Sequence, residues 1–248
     1  MNRRSALPLA NRAAPPWTAD LWLRMRRLFL LKLVGTSAFT WLFFVAYFQL
    51  LRHPVNPVVV LPLTALDHWI PFQPAALPAY LSLWLYVGVA PGLQLRFREL
   101  VVYGLWIGAL CVSGLAIFYA WPTAIPALAA ADLGHSGFRM LQSVDAAGNA
   151  CPSMHVAVAI FTALRLDPLL RDARAPLVLR LINLAWFAAI AWSTLATKQH
   201  VVLDVAAGAL LGAAFALASL RWAAPPRRGV AAPVRADIID RMSTDIAP

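Results

Sequence analysis

Runs of about 20 predominantly apolar residues recur along this chain, and no other feature restricts its fold so tightly, because that is the length a helix needs to cross a bilayer core. Six such runs can be marked, separated by short stretches bearing Pro, Arg or Asp: Leu33 to Leu51, Leu77 to Leu95, Leu100 to Trp121, Pro152 to Leu170, Leu177 to Ala196, and Val201 to Leu220. The fourth carries His155, Arg165 and Asp167, so its uninterrupted apolar stretch is short. It is kept because its neighbours and an even number of crossings require it. With 61% hydrophobic and 13% charged residues over 248 positions, the composition is that of an integral membrane protein. The expected fold is all-α, a polytopic bundle of six transmembrane helices.

Orientation follows from where Lys and Arg fall, since short loops rich in them stay cytoplasmic. Eighteen of the 21 basic residues lie before the first run, between the second and third, between the fourth and fifth or in the adjoining ends of those two, or after the last. Only Arg52, Arg139 and Lys198 lie on the opposite face. Both termini are therefore expected in the cytoplasm, with residues 1–30 a basic N-terminal segment, 31–222 the membrane domain and 223–248 a flexible tail. The segments Arg3 to Arg27 and Pro225 to Pro248 read as flexible basic tails that can lie on lipid. The first run follows some thirty residues without a small-residue cleavage site, so it reads as an anchor, not a removable signal peptide. A net charge of +10 distributed in this way is a topology signal and an attraction to anionic headgroups, which argues against nucleic acid as a partner. Cys111 and Cys151 read as small buried thiols.

All five histidines then fall on the outer side, together with two polar islands: CPSMHVA, Cys151 to Ala157, and STLATKQHVVLDVAAG, Ser193 to Gly208. Pro152 suits the first turn of a helix, and Ser153 and His155 follow within that turn. The free N–H groups and positive dipole end there form an anion site, to which Ser153 adds a hydroxyl and His155 a proton. In the second island His200 and Asp204 are four apart and share a helix face. A carboxylate at that depth costs roughly 3 kcal/mol on insertion scales, so it needs a partner. Accepting a hydrogen bond from one imidazole nitrogen, Asp204 would fix the tautomer of His200 and sharpen the other nitrogen as a nucleophile. Lys198 sits two residues earlier, where a cation can neutralise phosphoryl oxygens.

Each residue has a plainer role: an interfacial histidine as a polar tip, Ser153 as a helix start, Lys198 snorkelling to the interface. Two histidines, an aspartate, a serine and a lysine on one face are harder to explain that way. A zinc site built from Cys151, His155, His200 and Asp204 is a rival with suitable spacing, but it leaves Ser153, Lys198 and the helix-start proline without a role. A transporter or lipid-binding membrane protein using the same groups for a headgroup is the non-enzymatic alternative, although neither island recurs elsewhere as an inverted repeat would require.

At these residues the chain resembles the type 2 phosphatidic acid phosphatase superfamily, whose signature is Pro-Ser-x-His followed by Ser-Arg, five residues, His, three residues and Asp. Pro152, Ser153 and His155 match the middle motif, and Ser193, His200 and Asp204 match the last with its internal spacing. Thr194 stands where the family places an arginine that binds phosphate, and no Lys-x6-Arg-Pro stretch marks the first motif. The string STLATKQHVVLD, and the segment Thr64 to Pro74 as a first outer loop, look more like the branch containing inositol phosphorylceramide synthases. The resemblance spans roughly Thr64 to Leu211. It implies a six-helix core in a bacterial inner membrane with its site at the extracytoplasmic face, and a metal-independent lipid phosphatase or phosphotransferase without cofactor. In that reading His200 is the nucleophile that becomes phosphohistidine, Asp204 its orienting partner and His155 the acid. Ser153, Lys198, Ser193 and Thr194 surround the phosphate, and the substrate is a phospholipid or other lipid-linked phosphate, with water, inositol or a related alcohol as acceptor.

Overall fold

The computed structural model of the protein describes residues 16–126 and 149–222. Its helices are α1 (Trp17–Arg26), α2 (Phe29–Arg52), α3 (Ala65–Trp69), α4 (Leu77–Leu81), α5 (Leu83–Gly92), α6 (Phe97–Ala120), α7 (Met154–Asp172), α8 (Leu177–Ala196) and α9 (Val202–Trp222). Two short parallel strands, β1 (Val59–Val60) and β2 (Thr123–Ala124), tie the loop after α2 to the loop after α6, with Val59 opposite Thr123. His135, Arg139, the first 15 residues of the expected N-terminal tail and all of the expected C-terminal tail, 223–248, lie outside the described residues.

Five helical stretches among the described residues are long and apolar enough to cross a membrane: Phe29–Arg52, Pro74–Gly92, Phe97–Ala120, Leu177–Ala196 and Val202–Trp222. The second is not one uninterrupted helix. A 3-10 turn at Pro74–Ala76 leads into α4, and α5 continues after Ser82, whose hydroxyl turns back onto the Ala79 carbonyl. The fourth run of the sequence is the helix α7, which is not among the five.

The reason lies in where α7 sits. It buries ten of its 19 residues and packs against α5, α6, α8 and α9, so little of it has to face hydrocarbon. By contrast α2, with 24 residues, buries only Lys32 and Leu51 and lies at the edge of the bundle. A helix enclosed by other helices is free to carry Arg165, with Asp167 and Arg171 paired near its exposed end, whereas a peripheral one must be apolar nearly all round.

α7 and α9 form the tightest pair. Gly208 and Gly212 lie one turn apart on α9, and a methyl group at either position would strike backbone: the Ser153 carbonyl at Gly208, and the Ala157 carbonyl at Gly212. The missing side chains let the two backbones touch, the means by which membrane helices associate where no hydrophobic force acts between them. Ala216 and Ser219 continue this buried edge.

At the end of the bundle opposite His155, α1 is an ordered helix, so the segment 17–26 is not the flexible tail that its charge suggested. Asp20, Leu23 and Arg24 are buried, and Arg24 joins Asp20 on its own helix to Asp172 at the end of α7. Leu28, in the left-handed region with φ 58°, turns the chain into α2. There Lys32 donates to the carbonyls of Arg24 at 2.6 Å and Gly92 at 2.7 Å. Buried charges need partners, and here Arg24 is paired with two carboxylates while Lys32 is held by two carbonyls.

Candidate functional site

The first polar island starts α7 and the second joins α8 to α9, and the α7–α9 crossing brings the two together. Ser153 is the N-cap of α7: its hydroxyl oxygen accepts the Val156 N–H at 3.4 Å, while its own N–H donates to the Asp204 carbonyl at 2.9 Å. One residue into the helix, His155 lies with its ring 5.6 Å from that of His200. Tyr80 stacks on the other side of His155 at 4.5 Å, and Trp84 meets it edge-on at 6.0 Å. These two aromatic residues, four apart, hold the imidazole in place and were not singled out from sequence, where they read as ordinary apolar surface.

His200 and Asp204 meet at 3.0 Å through Nδ1 and Oδ2. The other carboxylate oxygen accepts the Val201 N–H at 3.0 Å. Asp204 is fully buried and His200 is 7% exposed, so the carboxylate is held by two partners away from solvent, and Nδ1 is the ring nitrogen of His200 committed to it.

The turn carrying His200 is clamped by the Thr64–Trp69 loop. Lys198, in the left-handed region with φ 54°, donates from Nζ to the carbonyls of Asp67 at 2.8 Å and Ile70 at 2.5 Å. Asp67 returns the contact, its Oδ1 accepting the Val202 N–H at 2.8 Å and its Oδ2 accepting from the N–H and hydroxyl of Thr64. Burial works against the Asp67 charge, but the Thr64 hydroxyl and N–H, the Val202 N–H and the Lys198 cation outweigh it and hold the carboxyl below the usual aspartate range.

Ser193 and Thr194 are fully buried, and their hydroxyls donate to the Ile190 and Ala191 carbonyls of the preceding turn. The Thr194 carbonyl accepts the N–H groups of Gln199 at 3.1 Å and His200 at 3.2 Å, so this residue shapes the turn through its backbone. The structure thus gathers His155, His200, Asp204 and Ser153 at one point, and turns Lys198, Ser193 and Thr194 toward backbone carbonyls.

A cavity of about 900 Å³ opens at the two histidines. Gln199 and Asn149 join them in its wall. Asn149 donates from Nδ2 to the Tyr47 carbonyl at 2.8 Å, which fixes the orientation of its amide and leaves Oδ1 buried without a partner. Away from this polar end the lining is almost wholly apolar and runs along α2 as far as Lys32. Ser153, Lys198, Ser193 and Thr194 do not line the cavity.

Among the described residues, no group of three or more His, Cys, Asp and Glu side chains stands close enough to hold a metal ion. Burial, aided by the nearby Asp204 charge, pushes the Cys151 thiol up to about 11, so it is protonated at neutral pH.

Membrane-crossing apolar helices, with paired histidines and a buried aspartate at one end of an apolar cavity, define an integral membrane protein with a polar site facing a lipid-sized space. The family model of the PAP2 superfamily matches residues 56–218, and the chain belongs to that superfamily, whose members are typically phosphatases. No curated protein and no solved structure matches the chain.

Proposed function

We propose that the protein is a lipid phosphatase or phosphotransferase working through a phosphohistidine. The observation that carries this reading is the pairing of His200, oriented by Asp204 at 3.0 Å, with His155, its ring 5.6 Å away across the head of an apolar cavity. At that separation the two rings can address one phosphoryl group at the head of the cavity. The chemistry needs a nucleophile on one side of the phosphorus and an acid on the other.

In the first step Nε2 of His200 attacks phosphorus and the bond from phosphorus to the lipid oxygen breaks. His155 gives its proton to that oxygen, and the imidazolium forming at His200 is stabilised by Asp204. In the second step water, or the hydroxyl of an alcohol such as inositol, attacks the phosphohistidine and returns its proton to His155. The N–P bond breaks and His200 is restored. For the phosphoryl oxygens we assign the positive end of α7, whose N-cap Ser153 accepts the Val156 N–H and fixes the start of the helix. Lys198 serves the site as a clamp on the His200 turn, because its ammonium is engaged with two carbonyls.

The sixth crossing is α7, the helix that the others enclose. The distribution of Lys and Arg supports a reading in which both termini lie in the cytoplasm and the histidine end faces the extracytoplasmic side of a bacterial inner membrane. The branch resembling inositol phosphorylceramide synthases supplies the transfer form of the reaction.

The test uses purified protein in detergent with a panel of lipid phosphates, with and without an added alcohol. His200→Ala abolishes turnover and the acid-labile phosphoenzyme, and His155→Ala slows release of a lipid alkoxide far more than of nitrophenolate, which needs no proton. If both variants turn over lipid phosphates at the parent rate, the assignment is wrong. A phosphorylated alcohol in place of free phosphate identifies the transferase.

A further inference from the structure

The cavity extends much farther than a phosphate headgroup requires. Its wall on α2 runs from Phe48 beside the histidine end to Leu31, 17 residues along the helix, or roughly 25 Å at 1.5 Å per residue. One leaflet of a bilayer core is only about 15 Å thick, half of about 30 Å, so the cavity continues past the midplane. Its lining changes on the way. Near the histidines it is crowded with Phe44, Tyr47, Phe48, Tyr80 and Trp84; in the far half Gly35 on α2 and Gly104 on α6 contribute no side chain.

Both glycines border unfilled space, since a methyl group built at either would meet nothing within 4 Å. Each costs helix stability of about 1 kcal/mol relative to alanine, and neither is required by close packing as Gly208 and Gly212 are. What they leave is open space along the cavity wall at that depth. Beyond them Lys32, tied to the Arg24 and Gly92 carbonyls, ends the apolar lining.

We propose that the far half of this groove, opened by Gly35 and Gly104, is a chain-length gauge: it receives the distal end of the substrate's hydrocarbon chain, and the enzyme favours lipid phosphates whose chain reaches beyond the midplane. The inference rests on the phosphohistidine reading for the headgroup end, and it names the occupant by continuity, because the same cavity holds His155, His200 and both glycines. A chain confined to one leaflet leaves the far half empty. A longer one buries its additional methylenes against the apolar wall, and that gain appears in turnover as chain-length preference.

The experiment measures kcat/KM of the full chain in detergent for n-alkyl phosphates from octyl to tetracosyl, comparing the parent with Gly104→Leu on α6 and Gly35→Leu on α2. The parent is expected to rise with chain length through the series. Each leucine is expected to lower the tetracosyl-to-octyl ratio at least about tenfold, in line with the one or two methylene-sized contacts it displaces. Two variants on separate helices keep the test open if one of them folds poorly. Turnover that depends on His200 but is flat with chain length in the parent, or a ratio unchanged in whichever variant folds, overturns the gauge and leaves the headgroup chemistry standing. Turnover indifferent to His200→Ala removes the headgroup reading itself, and the gauge with it.

Discussion

Nδ1 of His200 and Oδ2 of Asp204 stand 3.0 Å apart inside a fully buried corner, and the second oxygen of the same carboxylate takes the Val201 N–H. The aspartate therefore bonds to the imidazole and to the backbone beside it, fixing both the tautomer and the angle of the ring. Asp204→Asn keeps the shape but lets an amide N–H face Nδ1, favouring the tautomer in which Nε2 carries the proton and cannot attack. Turnover should fall by roughly 10³-fold or more while the fold is retained. Initial rates on a short-chain lipid phosphate, with thermal unfolding as the control for folding, check this.

Lys198 offers a sharper choice between two roles. As a clamp it holds the Asp67 and Ile70 carbonyls; as a phosphate ligand it would have to leave them. Hydrogen bonds to charged groups contribute about 1.5–3 kcal/mol each, and a chain of this size loses about 2–4 °C of melting temperature per kcal/mol. Lys198→Met is therefore expected to lower both the melting temperature, by several degrees, and kcat. A variant that melts like the parent and has lost only activity would return Lys198 to the phosphate.

Asp67 links the same clamp to pH. Its carboxyl is held below the usual aspartate range, so the stability it contributes is fully present above the unfolded value of about 3.9 and is lost as pH falls through the lower folded value. Melting curves of the parent should shift down as pH drops below about 4. Asp67→Asn should melt lower at neutral pH and lose less on acidification. A parallel acid limb in parent and variant would place the acid-sensitive group elsewhere.

How much of this the sequence disclosed depends on which interactions are local. His200 and Asp204 could be paired from their spacing alone, because one helical turn fixes the distance, and the islands at residues 151–157 and 193–208 marked the ends of apolar runs. The apolar runs likewise located five long helices, since hydrocarbon demands an apolar surface wherever a helix faces it. α7 was harder to delimit for the opposite reason: enclosed by its neighbours, it has no need of a uniformly apolar surface. The Lys198 contacts join positions about 130 residues apart and left no local signal. Tyr80 on α4 and Trp84 on α5 reach His155 only through the tertiary fold, and α1 depends on Asp172 at the end of α7, so its charges read as a solvated tail. Gly208 and Gly212 were not singled out from sequence, although small residues four apart on an apolar helix are a local sign of close packing.

That crossing can be tested directly. Gly212→Val would push two methyl groups into the Ala157 carbonyl and the Ile160 side chain. Overpacking of this kind costs typically 1–3 kcal/mol and separates the helices locally. Because Ser153 and Asp204 are joined by a backbone hydrogen bond at the same crossing, the two histidines should lose their register along with stability. Lower melting temperature together with loss of activity is expected, and Gly108→Ala, whose methyl would make ordinary contact with Phe39 at 3.7 Å, should show neither.

The far end of the bundle supplies the last prediction. Arg24 is buried between Asp20 on α1 and Asp172 on α7, so the amphipathic helix is fastened to the centre of the bundle by an ion network. Removing one member of a buried pair is far more costly than removing both, because the survivor keeps its desolvation penalty without its compensation. Arg24→Met should destabilise the protein by roughly 3–5 kcal/mol, and Asp20→Leu combined with Arg24→Met should recover part of that loss. A double-mutant cycle of melting temperatures in detergent reads the coupling between the two sites. Equal and additive losses would show that α1 is held by its apolar contacts and that the charges are incidental to its docking.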